Sequence, residues 1–90
     1  MFRLWAKEWK KGRMLKDKVV CNDNPSLNRT RKIFAAIEEV CSEFDLSNPI
    51  WLDKDIAEFK QHDKVRFSKD NFMDEIDFDY LEIHVIEEDE

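Results

Sequence analysis

The sequence predicts an α+β domain: a three-stranded antiparallel sheet, built from an N-terminal β-hairpin and a C-terminal strand, packed against one long amphipathic helix, with short helical pieces in the 53–75 connection. Three observations lead there. Apolar and charged residues alternate on either side of the only glycine, Gly12. Apolar residues then recur at helical spacing through residues 27–44. Near the end of the chain the period returns to two.

Residues 2–10 read as a strand with Leu4 and Ala6 on one face and Arg3, Trp5, Lys7 and Trp9 on the other. Gly12 stands where a hairpin turn needs positive φ. Residues 14–21 read as the return strand, with β-branched Val19 and Val20 near its end. Asp23-Asn24-Pro25-Ser26 breaks the chain, and either Asn24 or Ser26 is suited to cap the helix that follows. In that helix Ile33, Ile37, Val40, Cys41 and Phe44 form one stripe, flanked by Phe34 and Ala36. Its charges oppose the macrodipole: Arg29, Arg31 and Lys32 lie near the start, and Glu39, Glu43 and Asp45 near the end. Each such charge costs about 0.3–1 kcal/mol, so the rest of the fold or a partner must set them.

Asn48-Pro49 ends the helical stretch, and residues 50–52 read as an apolar clip over the core. Asp53 is placed to cap a short helix carrying Ile56 and Phe59, residues 62–66 read as a connection, and Ser68 is placed to cap another turn. Ile76, Phe78 and Tyr80 then alternate with Asp77 and Asp79 as a strand would, before the apolar phase moves to Leu81, Ile83 and Val85. A β-bulge, or a strand buried on both faces, accounts for that shift. The whole chain, 1–90, is expected to form a single domain whose acidic tail, 87–90, frays.

Charge is unevenly distributed. Residues 1–32 carry ten Lys/Arg against three Asp/Glu, a local charge of +7, whereas residues 64–90 carry three against ten, a local charge of −7. Such asymmetry signals an interaction, or the docking of one part of the chain on another. No apolar run suits a secretory signal or a membrane span, so the expected location is cytoplasmic and no membrane partner is expected. Cys21 and Cys41 are expected to be free, buried thiols, because one pair without a secretory signal is a poor disulfide framework.

Catalytic and metal chemistry are thinly represented. His62 and His84 lack partners at zinc-ligand spacing. The run Asp70, Asp74, Glu75, Asp77, Asp79 lacks the glycine and spacing of a calcium loop, although Asp77 and Asp79 would share a strand face. Cys41 lies on the apolar helix stripe, where burial makes a thiol inert, and Cys21 has no histidine near it in sequence. The expectation is a non-enzyme with no catalytic residue, no cofactor and no metal site.

The expected function is therefore that of a small protein-binding or adaptor protein, acting through the basic hairpin, the acidic last strand or both. The candidate interaction surface is Trp5, Lys7, Trp9, Lys10, Lys11 and Arg13. The partner is expected to be another protein or a second copy of the chain, with a homodimer as one form. Aromatic and basic side chains on one sheet face also make the chemistry of a single-strand nucleic-acid platform, which is the alternative. The net charge of −6 disfavours it. A second alternative is an acidic inhibitor that mimics nucleic acid through residues 70–90.

The stretches Arg3-Leu-Trp-Ala-Lys, Phe34-Ala-Ala-Ile-Glu-Glu-Val-Cys41, Phe44-Asp-Leu-Ser-Asn-Pro-Ile-Trp-Leu52 and Asp77-Phe-Asp-Tyr-Leu-Glu-Ile83 carry a further likeness. With them the chain resembles a group of small uncharacterised proteins of anaerobic Gram-positive bacteria, of about this length throughout. The resemblance implies a complete chain in a bacterial cytoplasm, and it implies no activity, cofactor or site residue.

Overall fold

A computed structural model describes residues 1–88. The N-terminal hairpin forms as the alternation predicts. Strand β1 (Phe2–Lys10) and strand β2 (Arg13–Asn22) pair antiparallel around the two-residue turn Lys11-Gly12. Both turn residues have positive φ, 51° and 75°, the twist that matches two right-twisted strands. Lys11 tolerates this conformation with help from outside the hairpin: its N–H donates to Asp79 Oδ2 at 2.7 Å. A bulge between Glu8 and Trp9 leaves Leu15 without a register partner.

The breaker segment forms Asx turns, with Asn22 and Asn24 side chains accepting from the backbone two residues on. Neither Asn24 nor Ser26 caps the helix. Asn28 does, accepting from the Arg31 N–H at 2.9 Å, and helix α1 runs Arg29–Glu43. It buries Ile33, Ala36, Ile37, Val40 and Cys41, as the stripe predicts. It ends without glycine: Asp45 takes the left-handed conformation, and Leu46 N–H bonds back to Cys41 O at 2.8 Å.

Beyond α1 the architecture differs from the sequence reading. The sheet has four strands, in the order β2-β1-β4-β3, all neighbours antiparallel. Residues 62–66 are no mere connection, because β3 (Lys64–Phe67) pairs along β4 (Tyr80–Glu87). The 53–62 stretch is a full ten-residue helix, α2 (Asp53–His62), and only Lys69–Asn71 is a short helical turn, of 3-10 type. Residues 76–79 are not strand: 77–79 form a bend, and Ile76 precedes it in irregular chain. Their alternation arises because Phe78 enters the core from a loop and Ile76 packs against it. The phase shift at Leu81 therefore marks where the strand begins. The acidic end is held in part: Glu87 closes β4 and pairs with Arg3 and the amino terminus, and Glu88 pairs with Arg29. The remainder of the expected frayed tail, residues 89–90, lies outside the described residues.

Both helices cover one face of the sheet. Phe2, Leu4, Ala6, Val20, Val65, Phe67, Leu81, Ile83 and Val85 point into the layer between, and the other face carries Trp5, Lys7, Trp9, Glu82 and His84. Helix α1 lies over β1 and β2, and α2 lies against β3. Trp51 bridges them, with its ring edge-to-face against Phe34, Phe59 and Phe67 at centroid distances of 6.2, 5.5 and 4.9 Å.

A buried polar network holds Trp51 in place. Asn71 is fully buried, and its Nδ2 donates to Ile50 O at 2.8 Å and to Asp55 Oδ2 at 2.6 Å. The same Asp55 oxygen accepts from Leu52 N–H at 3.0 Å, and Asn71 Oδ1 accepts from Ser68 N–H at 3.0 Å. The residues flanking Trp51 are thus tied on both sides to the 3-10 turn and to α2.

Candidate functional site

Because α1 and α2 sit over different strands, a groove opens between them. It has a volume of about 310 Å³ and is lined by Arg29, Thr30, Ile33 and Phe34 of α1, by Trp51, and by Ile56, Phe59 and Lys60 of α2. Ile33 and Phe59 belong to the core, and Trp51 is half-buried against it. Phe34 and Ile56 stand on the rims, 52% and 39% exposed. Charge enters this lining only as the cations Arg29 and Lys60. Arg29 Nη2 donates to Asp63 Oδ1 at 2.7 Å, its Nε donates to Glu88, and its guanidinium lies 5.5 Å from the Phe59 ring centroid.

The groove is assembled from parts that the sequence placed separately. Phe34 reads there as a residue flanking the α1 stripe, residues 50–52 as a clip, and Ile56 with Phe59 as one face of a short helix. The one local signal is Phe34 itself, a large aromatic set off the buried stripe.

The expected interaction surface divides into two places. Trp5, Lys7 and Trp9 lie on the sheet face away from the helices, whereas Lys10, Lys11 and Arg13 form the tip of the hairpin. On the open face most groups already have partners. Lys7 Nζ meets Glu82 Oε1 at 2.9 Å, and Arg66 Nε donates to the other Glu82 oxygen at 3.2 Å. The Lys7 ammonium also sits 3.9 Å from the Trp5 ring centroid, and the Arg66 guanidinium 4.8 Å from that of Tyr80. Trp5 Nε1 donates to Asp17 Oδ2 at 2.9 Å. Burial pushes the Glu82 carboxyl up, but the hydrogen bonds from Lys7 and Arg66 and the charges of Lys7 and Lys64 outweigh it, and Glu82 is held below the ordinary carboxylate range. His84 on the same face is held below its ordinary range by burial first, then by the Lys64 and Lys7 charges.

The basic and acidic parts of the chain therefore meet each other. Pairing of β1 with β4 brings Arg3 and Lys7 to Glu87 and Glu82. Lys18 of β2 reaches Glu39 and Glu43 at 3.7 and 3.1 Å, which compensates the acidic end of α1. Hydrogen bonding to Glu43 is the main reason that the Lys18 ammonium titrates above its usual range. Arg29 at the start of α1, and Glu39 and Glu43 at its end, are thus answered by other elements of the fold.

A second cleft, of about 630 Å³, lies at the far end of α1 and is lined by Glu8, Lys16, Phe44, Asp45, Leu46, Glu75, Ile76, Asp77 and Phe78. Glu8 is buried there, with Lys16 Nζ 3.8 Å from its carboxylate. Burial, reinforced by Asp77, raises the Glu8 carboxyl above its ordinary range against the pull of Lys16. Asp77 and Asp79, expected to share a strand face, serve different places: Asp77 lines this cleft, and Asp79 anchors the hairpin turn. Among the described residues no group of three or more His, Cys, Asp or Glu side chains is arranged to hold a metal ion. Both cysteines are free, but only Cys41 is buried; Cys21 is exposed on the edge strand, contrary to the expectation for it. Burial pushes the Cys41 thiol up to about 11.

No family model, no curated protein and no solved structure matches the chain. No helix among the described residues is long and apolar enough to cross a membrane.

Proposed function

We propose that the protein is a non-enzymatic protein-binding or adaptor module whose docking surface is the groove between α1 and α2. One observation carries the reading: Phe34 and Ile56 remain substantially exposed on either side of a pre-packed Trp51 floor. Fully covering a large apolar side chain is worth about 1.5–3 kcal/mol, so a partner that finishes the burial of these two gains roughly half of that from each. Aromatic anchors in a fixed apolar setting are the usual centres of binding energy at protein interfaces.

The open sheet face supports docking less. Its cations Arg3, Lys7 and Arg66 are already paired with Glu87 and Glu82, and Lys7 and Arg66 also lie against rings, so a nucleic-acid backbone would have to displace internal ion pairs before gaining its own. The test is affinity capture from a bacterial lysate at low and high salt, comparing the natural chain with the double variant Phe34→Asp/Ile56→Asp. Both sites are solvent-facing, and circular dichroism checks that the variant is folded. A protein retained by the natural chain at high salt and lost with the double variant is the expected result. Equal capture by both, or loss only with Lys10→Glu/Arg13→Glu, would reject the groove as the docking surface.

A further inference from the structure

Resting on the reading of the groove as a protein-docking surface, we infer that its occupant is an amphipathic α-helix of a partner protein with carboxylates beside its apolar stripe, and that Glu88 of this chain competes for the same cation.

The form of the occupant follows from the walls. Both are helices, whose mid-length backbone N–H and C=O groups are bonded internally, so the groove offers no strand edge to an extended peptide. A helix satisfies its own backbone and presents side chains at i, i+3, i+4 and i+7, which suits an apolar trough between two other helices.

The charge of the occupant follows from the lining. Arg29 and Lys60 are the charged residues there, and neither wall contributes a carboxylate. Arg29 stands in the first turn of α1, which holds no acidic residue and where the helix dipole is positive. Its guanidinium already binds two carboxylates, from Asp63 and Glu88. Lys60, in the last turn of α2, has no ion pair among the described residues. Asp63 follows α2 directly and is part of the frame. Both carboxylates are part-exposed, but Asp63 caps α2 whereas Glu88 lies just beyond the end of β4, so Glu88 is the carboxylate that an incoming one can replace.

Three synthetic peptides of about 14 residues, near the length at which an isolated helix becomes marginally stable, provide the probe. They share Leu at i, i+3, i+4 and i+7 and differ only in flanking residues: Glu, Gln or Lys. Each is titrated into the full ¹⁵N-labelled chain, and amide shifts are followed over residues 29–34 and 50–60. The Glu peptide is expected to shift these amides and to bind about two- to fivefold more tightly than the Gln peptide for each ion pair formed, with the Lys peptide weakest. Glu88→Gln is expected to tighten the Glu peptide about two- to threefold and leave the Gln peptide unchanged. Lys60→Glu should weaken the Glu peptide and strengthen the Lys peptide.

Equal affinity of the three peptides at the groove would overturn the acidic preference and leave the docking surface standing. No shift of groove amides with any peptide, or shifts confined to the sheet face, would overturn both. Unchanged affinity in Glu88→Gln would overturn the competition. Concentration-dependent shifts of the same amides without peptide would make a second copy the occupant, and overturn the assignment to a different partner.

Discussion

Replacing Asn71 by alanine removes the side chain on which the buried polar network turns. The natural amide makes three hydrogen bonds: two donated, to Ile50 O and to Asp55 Oδ2, and one accepted from Ser68 N–H. The two neutral bonds are worth about 1 kcal/mol each, and the one to the carboxylate about 1.5–3 kcal/mol. The side chain is 0% exposed, and its truncation takes these partners from Ile50 O and Ser68 N–H. Asp55, itself 1% exposed, keeps Leu52 N–H and the solvent-facing Lys54 ammonium at 3.6 Å. The expected loss is therefore about 3–5 kcal/mol, a large part of the ~5–15 kcal/mol typical of a small domain. In urea, monitored by circular dichroism, the midpoint should fall by about 2–4 M with little change in slope. Asp55→Ala should be destabilising too, and the double variant should cost less than the sum by about 1–3 kcal/mol, because the two residues share one bond. A loss below ~1 kcal/mol in Asn71→Ala, or strict additivity with Asp55→Ala, would refute the reasoning.

Other consequences are as specific. Glu82→Gln strips the partly buried Lys7 ammonium of its counter-ion and should destabilise by about 3 kcal/mol at neutral pH, read by the same urea titration. Because Glu82 titrates below its ordinary value, its contribution is fully present above the unfolded carboxyl pKa and fades as pH falls through the lower folded value; a pH series of stabilities should show this limb blunted in Glu82→Gln. Glu8 has the opposite sign: its folded pKa is raised, so ionisation costs stability as pH rises through the window above the ordinary carboxyl value. Glu8→Gln should therefore stabilise at neutral pH, by up to about 1 kcal/mol, and lose that advantage in acid. At neutral pH a thiol reagent should label one cysteine per native chain, Cys21, and both in denaturant; prompt labelling of Cys41 in the native state would contradict its burial.

The sequence alone determined the elements whose faces are set by local period. The alternation in residues 2–10, the glycine at position 12 and the stripe from Ile33 to Cys41 specify β1, the hairpin and α1, because the exposed and buried sides of one element follow from its own geometry. The same rule misleads where the chain reaches the core without regular structure: Ile76 and Phe78 alternate with aspartates from a loop. It also misses β3, four residues long with Lys64 and Arg66 on its outer face, which is recognisable as a strand only through its pairing with β4. What the tertiary structure decided is which surfaces remain. The +7 and −7 segments are distant in sequence but adjacent in the sheet, so much of the charge that pointed to a partner is met within the fold. The groove is built from Phe34, Trp51 and Ile56, three residues on separate segments. No local pattern reports it, because a gap between two helices depends on the strands that carry them.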